Sequence, residues 1–224
     1  MSKILEYIRL MKFYILINLK NKLLYGFQAP RYKERIWVNP NEVERRIRKN
    51  ERIKHFGSKK VLSGKVIAGD WDYDTVFIKE KSLYKACKKH WIEGVPWEKT
   101  GRYEAMLKNI YKRGDVDGCK TIEDVIHRYK QLDNIFESVR KIGRLLTREE
   151  LEGKNRWFAK GRGEIEVFID REGKPIHGEG GNHRLAMAKI LDLDLIPATI
   201  GVVHPQGIKY LYYYRKPENI NSKN

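Results

Sequence analysis

The chain has 224 residues, of which 41% are hydrophobic, and it contains 5 Trp, 13 Tyr and 7 Phe, which is enough apolar material to bury a core and excludes global disorder. Lysine and arginine number 46 against 29 acidic residues, a formal charge of +17. Only two cysteines occur, Cys87 and Cys119, and no Cys-x-x-Cys pair. A disulfide framework and a zinc knuckle are therefore excluded, and a reducing, cytoplasmic compartment fits best.

The excess positive charge is concentrated near the start of the chain. Residues 1–60 hold 16 basic and 5 acidic residues, so they carry most of the net charge. Such a region attracts polyanions, either nucleic acid or an anionic membrane surface. The alternative is a solvated lysine-rich surface with no partner.

The first predicted element is an amphipathic helix over residues 3–25. Apolar residues recur at helical spacing, namely Ile4, Ile8, Met11, Ile15 and Leu19. The longest uncharged run, residues 13–19, is too short to cross a bilayer, which needs about 20 residues. We expect no transmembrane span, and the helix either packs on its own domain or lies on an anionic membrane, which would make the protein membrane-peripheral.

Short elements are predicted after a connector at residues 28–33. We expect strands at 36–38 and 61–67, a turn or N-cap at 39–41, a basic helix at 42–49 and a charged loop at 54–60. Three helices follow, at 81–91, 97–112 and 121–142. The longest of them repeats apolar residues at helical spacing, which predicts a buried face.

The pattern changes near residue 164. Residues 164–169 alternate as a strand does, an Asp-x-x-Gly turn spans 170–173, and a second short strand covers 174–177. A glycine-rich loop, a helix at 183–191 and a buried strand at 195–203 complete the pattern. We predict an α+β fold with a basic amphipathic helical extension at 1–30, one domain at 31–215 and a frayed tail at 216–224.

The loop before the last predicted helix has the composition of a phosphate-binding site. Gly180 and Gly181 let an anion approach the main chain, and Asn182 stands where an N-cap belongs. The free amides and dipole of the helix start favour negative charge, His183 adds a donor, and Arg184 offers a planar fork for phosphate oxygens. A capped helix with an exposed arginine is the simpler alternative.

The segment 161–204 resembles the ParB/sulfiredoxin superfamily. The likeness rests on the strand end and turn Val167–Gly173, the loop Gly181–Arg184, the helix segment Leu185–Ala188 and the pair Ile196-Pro197. The resemblance implies a small mixed sheet with helices and a nucleotide phosphate at Gly180, Gly181, Asn182, His183 and Arg184. Sulfiredoxins have a nucleophilic Cys where this chain has Asn182, and an amide cannot perform that chemistry.

The nucleotide implied depends on which branch of the superfamily is compared. ParB-type partition proteins bind CTP at this loop, whereas free serine kinases have Gly-His-His-Arg-like loops and bind adenine nucleotides. The order Gly181-Asn182-His183-Arg184 is closer to the second branch. ATP, ADP or CTP with Mg²⁺ is therefore the expected cofactor.

The rest of the chain resembles an archaeal group of proteins that is associated with surface-glycan genes. The shared motifs are Ile36–Pro40, Gly69–Asp72, Gly94–Thr100 and Val203-His204, with Asn39 and Val203 in place of the group's Asp and Arg. This resemblance implies an order of elements and candidate sites, and it implies no particular reaction.

Acidic residues supply the remaining candidates. Asp70, Asp72 and Asp74 alternate, so on an extended segment they would face one side, and we predict Mg²⁺ at Asp70 and Asp72. Glu179 precedes the glycine pair and is the favoured general base, ahead of Glu164 and Glu166. Catalysis would then involve Glu179, His183 and Arg184.

Three functional hypotheses stay open. The first is a nucleotide-phosphate-binding protein with Mg²⁺-dependent phosphotransferase or nucleotidase activity. The second is a non-catalytic basic module that binds nucleic acid through residues 1–60, and the third is a membrane-surface accessory protein of glycan assembly, held by the N-terminal helix.

Overall fold

The computed structural model describes residues 3–57, 62–147, 150 and 164–216. It confirms the α+β class, with seven α-helices and six strands in a mixed sheet among these residues. The helices are α1 (Lys3–Tyr25), α2 (Lys49–Phe56), α3 (Ser82–Trp91), α4 (Arg102–Arg113), α5 (Ile122–Ile142), α6 (Asn182–Ile190) and α7 (Leu211–Arg215). The strands are β1 (Arg35–Val38), β2 (Arg45–Ile47), β3 (Thr75–Phe77), β4 (Ile165–Ile169), β5 (Pro175–His177) and β6 (Ile196–Val203).

The chain forms two compact units. The sheet unit comprises Met1–Ile78, Leu146–Gly181 and Asp194–Asn224, and the helical unit comprises Lys79–Leu145 and Asn182–Leu193. The single domain expected over residues 31–215 stays a prediction, and each unit is described by itself.

All six strands belong to the sheet unit, in the order β1-β6-β4-β5-β2-β3. The β4–β6 and β2–β5 pairs are parallel, and the other three pairs are antiparallel. Every residue of the long inner strand β6 is buried, as expected of a strand covered on both faces. Three strands from the N-terminal region and three from the C-terminal region thus meet in one sheet, in which β6 lies between β1 and β4.

One side of this sheet is covered by an aromatic cluster. Trp71, Phe168 and Phe56 pack with ring centroids 5.6–6.0 Å apart, and Trp71 and Phe168 have no solvent exposure. The indole Nε1 of Trp71 donates to the carbonyl of Ile67 at 2.9 Å, so its polar atom is satisfied although it is buried. Phe56 brings the end of α2 into this core.

The helical unit has a core of its own. It is formed by residues of α3, α4, α5 and α6 and of the short segments between them, namely Cys87, Trp97, Met106, Ile110, Cys119, Val125, Tyr129 and Ala186. A complete capping box starts α5, because Thr121 and Asp124 exchange side-chain-to-backbone hydrogen bonds. The helical periodicity predicted for residues 121–142 is confirmed, although Ile126 and Ile135 of the expected inward face are 46% exposed.

The predicted helix at residues 3–25 is confirmed, but two residues of its expected apolar face do not pack on the sheet unit. Ile15 and Leu19 are more than half exposed, while Asn21 is buried and donates to the carbonyls of Pro30 (2.7 Å) and Gly64 (2.6 Å). The hydrogen bonds of Asn21, together with the packing of the Phe13 ring on Tyr32, therefore attach this helix to the rest of the sheet unit. In the part of the chain that the structure describes, no helix has the length and apolar character needed to cross a membrane.

Several short elements differ from the expectation. Residues 45–47 form β2 instead of a helix, because they pair with β5 on one side and β3 on the other, and the helix begins only at Lys49. Of the strand expected at 61–67, only a single bridge from Val66 to Val203 forms among the described residues. The helix expected at 97–112 is interrupted at Gly101, whose φ is +77°, and a 3-10 turn precedes α4. The tail from residue 217 lies outside the described residues.

Candidate functional site

The glycine loop has the backbone that the sequence predicts. Gly180 and Gly181 have φ values of +92° and +63°, a region that residues with a side chain rarely adopt. A Cβ at Gly181 would lie 2.7 Å from Ile165, so no larger residue fits there without displacement. His177 donates from Nε2 to the Gly180 carbonyl at 2.9 Å, which holds the loop against the end of β5. The first residue after this loop, the exposed Asn182, begins α6.

His183 lies in the first turn of α6, within the helical unit. Its Nε2 atom is buried and has no hydrogen-bond partner among the described residues. Desolvation, together with the positive charges of Arg128 and Arg102, lowers the pKa of His183 to about 4. The ring packs edge-on against buried Tyr129, with centroids 6.0 Å apart. The imidazole is therefore neutral at pH 7 and has an unused polar atom.

The two arginines near His183 were missed by the sequence analysis. Arg102 is at the start of α4, and its Nε donates to the hydroxyl of Tyr129 at 3.0 Å. Arg128 is on α5 and pairs with Asp117 at 3.1 Å. No carboxylate among the described residues forms an ion pair with Arg102, so the neighbourhood of His183 is electropositive. No local motif identifies either arginine, because the sequence does not distinguish it from the other basic residues of its helix.

Arg184, the predicted phosphate fork, follows in the same turn of α6. Its side chain is half-buried. Asn182, His183 and Arg184 thus stand together at the amino end of a nine-residue helix, where free amides and the helix dipole favour an anion. Gly180 and Gly181 belong to the sheet unit, and their contribution to ligand binding stays a prediction.

Glu179, the favoured general base, lies in a group of charges within the sheet unit. Its carboxylate is 3.1 Å from Nε of Arg52, and its backbone amide donates to Oε2 of Glu166 at 3.0 Å. Burial raises the pKa of Glu166, and the hydrogen bond from Glu179 only partly offsets that effect. Glu164 instead accepts from Arg35 at 3.0 Å and Thr199 at 2.7 Å, which is a structural arrangement.

The acidic segment 69–74 does not present one common face, so that expectation is wrong. Residues 70–74 form turns and bends rather than an extended strand. Asp70 and Asp72 both bind Arg171, each at 2.8 Å, whereas Asp74 contacts His55 at 2.6 Å. Burial alone would raise the pKa of Asp72, but the hydrogen bonds from Arg171 outweigh it and hold the pKa below its usual range. Magnesium at Asp70 and Asp72 stays a prediction and would require Arg171 to move.

Comparison with protein-family models, with curated proteins and with solved structures gives no match. The α+β class follows from the structure itself. The resemblance of residues 161–204 to the ParB/sulfiredoxin superfamily stays a prediction that depends on the motif residues.

Proposed function

We propose that this protein binds the phosphate groups of a nucleotide at the first turn of α6. The observation that carries the proposal is the buried Nε2 atom of His183, which has no hydrogen-bond partner in the described part of the chain and lies near the positive charges of Arg102 and Arg128. Two guanidinium groups and a helix amino terminus lie near this histidine, and one carboxylate, that of Asp117, pairs with Arg128. A bound anion would supply the missing negative charge.

The electrostatic argument favours a phosphate over a neutral ligand. Charge-assisted hydrogen bonds from arginine are about twice as strong as neutral ones, and a guanidinium fork matches two phosphate oxygens. The amides at the start of α6 add donors that have no partner within the helix. His183 can donate to a phosphate oxygen in either charge state, because the neutral imidazole still carries one N–H.

The superfamily resemblance supports a nucleotide as the source of the bound phosphate. A hairpin of β4 and β5, a glycine loop, α6 and the buried strand β6 follow each other in the order of the ParB/sulfiredoxin unit. ATP, ADP or CTP with Mg²⁺ is the proposed ligand, with Asp70 and Asp72 as the metal candidates. A phosphotransferase or nucleotidase reaction, with Glu179 as base, is the further step of the same proposal.

Ligand-dependent stability tests the binding step. The full chain would be unfolded thermally with ATP, ADP, CTP or GTP, each with and without Mg²⁺, as wild type and as Arg184→Ala and Arg102→Gln. A nucleotide at about 100 times its dissociation constant should add roughly 2.7 kcal/mol of stability, which for a chain of this size is a shift of roughly 5–10 °C.

The matched control is Arg140→Ala, which removes an exposed arginine of α5 that pairs with Glu137 on its own helix. We expect one nucleotide to shift the wild type and Arg140→Ala equally, and the two site variants by far less. The site would be rejected if no nucleotide shifts the melting temperature of the wild type. It would also be rejected if Arg140→Ala loses the shift as fully as the two site variants do. Phosphate release by wild type and Glu179→Gln then tests catalysis separately.

A second candidate function, attachment to an anionic membrane, is favoured by the exposed side of α1 and the residues after it. Seven large apolar side chains here are at least 43% exposed, namely Tyr14, Ile15, Leu16, Leu19, Leu23, Leu24 and Phe27. Lys12, Lys20 and Lys22 are exposed on the same helix. Apolar and basic side chains together are what binding to an anionic bilayer surface requires.

Vesicle flotation tests this second candidate. The full chain should float with vesicles that contain phosphatidylserine and remain behind with phosphatidylcholine alone. Leu19→Ser with Leu23→Ser should abolish flotation, because these changes remove exposed apolar contacts without opening a core. Leu107→Ser, at an exposed position of α4, is the control, and equal flotation of all three proteins would contradict the assignment.

A further inference from the structure

Three potential metal ligands converge in the sheet unit, outside the proposed phosphate site. Glu51 and His55 are four residues apart on α2, so they lie on the same side of the helix, and Asp74 comes from the turn before β3. One ligand atom of each lies within 4.8 Å of the other two, and all three side chains are partly buried. We propose that Glu51, His55 and Asp74 form a binding site for a divalent transition metal, with Zn²⁺ as its probe.

The ligand chemistry selects the class of metal. An imidazole nitrogen with two carboxylate oxygens suits Zn²⁺ and neighbouring transition metals, whereas Mg²⁺ and Ca²⁺ prefer oxygen ligands alone. Bonds of about 2.0 Å in tetrahedral geometry place ligand atoms about 3.3 Å apart. His55 Nε2 and Asp74 Oδ2 are now 2.6 Å apart. These two atoms therefore need to move apart only slightly to bind the same metal ion. Three protein ligands leave the fourth position to water.

The two elements that carry the ligands are fixed to each other. The amide of Arg48, just before α2, donates to the carbonyl of Asp74 at 3.0 Å. One residue beyond His55, Phe56 packs on Trp71 with ring centroids 5.7 Å apart, and both rings are buried. The ligands are therefore preorganised by the backbone and the core, which reduces the entropy lost when a metal binds.

Neighbouring positive charges do not prevent a metal ion from binding at this site. Lys54 pairs with Glu51 at 3.0 Å, but its side chain is 68% exposed, so the pair is a surface ion pair that contributes little and is readily exchanged. The positive charges of Lys54 and Arg48 also act on Asp74, and the pKa of Asp74 is lowered chiefly by its hydrogen bond with His55. The side chain of Asp74 is 38% exposed, so a metal ion can reach its carboxylate from solvent.

Calorimetric titration of the EDTA-treated full chain with Zn²⁺ tests the proposal. Wild type should bind one equivalent of Zn²⁺ at pH 7.5. His55→Ala, Glu51→Gln and Asp74→Asn should each weaken binding at least tenfold, since each removes one of three protein ligands.

Two control variants make the result specific. His127→Ala removes a surface histidine of α5 that contacts Gln131, and Glu137→Gln removes the carboxylate that pairs with Arg140 on the same helix. Both should bind Zn²⁺ like the wild type. Circular dichroism shows whether each ligand variant is folded, and Zn²⁺ should raise the melting temperature of the wild type and of both controls, but not of the three ligand variants. Binding that persists in folded His55→Ala, or no binding by the wild type, overturns the site whatever the nucleotide experiments give.

Discussion

His183 combines a buried imidazole with positive neighbours, and this determines its titration. The unfolded chain takes up a proton on this histidine near the ordinary value of 6.5, whereas in the folded protein the pKa falls to about 4. Between these values the unfolded state binds more protons than the folded state, so stability rises with pH in that window. The same neighbours that lower the pKa would attract an anion.

The pH dependence of stability is therefore predicted. The free energy of unfolding of the wild type should be about 2 kcal/mol lower at pH 5 than at pH 7.5 from this group alone. His183→Gln should lose that part of the dependence, as measured by urea unfolding at both pH values. His127→Gln, at an exposed position, serves as the control and should keep it. A dependence that is unchanged in His183→Gln would show that other groups cause it.

Gly181 is required by both its backbone and its surroundings. Gly181→Ala places a side chain at φ +63°, with a Cβ 2.7 Å from Ile165, so we expect a loss of about 3 kcal/mol in urea unfolding. Gly101→Ala is the matched control, because Gly101 has a similar φ of +77° and open space around a Cβ, and it should cost about 1 kcal/mol. Equal losses in the two variants would mean that the contact with Ile165 relaxes freely.

At the scale of elements, α1 shows that a correct helix prediction does not by itself determine which side chains make the contacts. The apolar repeat through Ile15 and Leu19 is present in the sequence, yet both side chains are exposed. Asn18 accepts from the amide of Tyr32 at 2.7 Å, and Asn21 donates to two carbonyls. Gly64 makes this approach possible, since a Cβ there would lie 2.7 Å from the backbone of Arg31. The contact with Gly64 joins residues 43 positions apart, which no local pattern reveals.

The attachment of α1 gives a testable stability difference. Asn21→Ala removes two buried hydrogen bonds and leaves the carbonyls of Pro30 and Gly64 without that donor, so it should cost about 2 kcal/mol. Leu19→Ala, on the exposed side, should change stability by less than about 0.5 kcal/mol. Chemical unfolding of the two variants measures the difference, and the reverse order would indicate that α1 packs through its apolar residues.

At the scale of the whole molecule, charge distribution bears on the nucleic-acid hypothesis. Residues 1–60 hold 16 of the 46 lysines and arginines but only 5 of the 29 acidic residues. A basic surface of this kind binds any polyanion with an affinity that falls steeply as salt increases. Nucleotide binding at the first turn of α6 would have a weaker salt dependence, because a single ligand carries few charges.

Binding of the full chain to duplex DNA at several salt concentrations separates these possibilities. If residues 1–60 are the contact, Lys20→Glu with Lys22→Glu should weaken binding and reduce the slope of log affinity against log salt by roughly 0.9 for each lost phosphate contact. Lys108→Glu with Lys112→Glu, at exposed positions of α4, is the charge-matched control. Equal effects of both pairs would indicate non-specific attraction by the net charge.

The sequence by itself determined the local features of this protein. Helical periodicity located α1, α3 and α5, alternation located β4, and a continuous apolar run located β6. The pair Gly180-Gly181 marked a loop with positive φ values, since glycine alone adopts them at little cost. The α+β class followed from the order of these elements.

The tertiary structure decided everything that depends on distant partners. Residues 45–47 became a strand because β5 and β3 flank them, which no local pattern reveals. Asp70 and Asp72 were bound to Arg171, about 100 positions later, and Asp74 was brought to His55. Arg102 and Arg128 reached His183 only through helix packing. Charge pairing and strand pairing act through space, so the sequence supplied the candidates and the fold selected their partners.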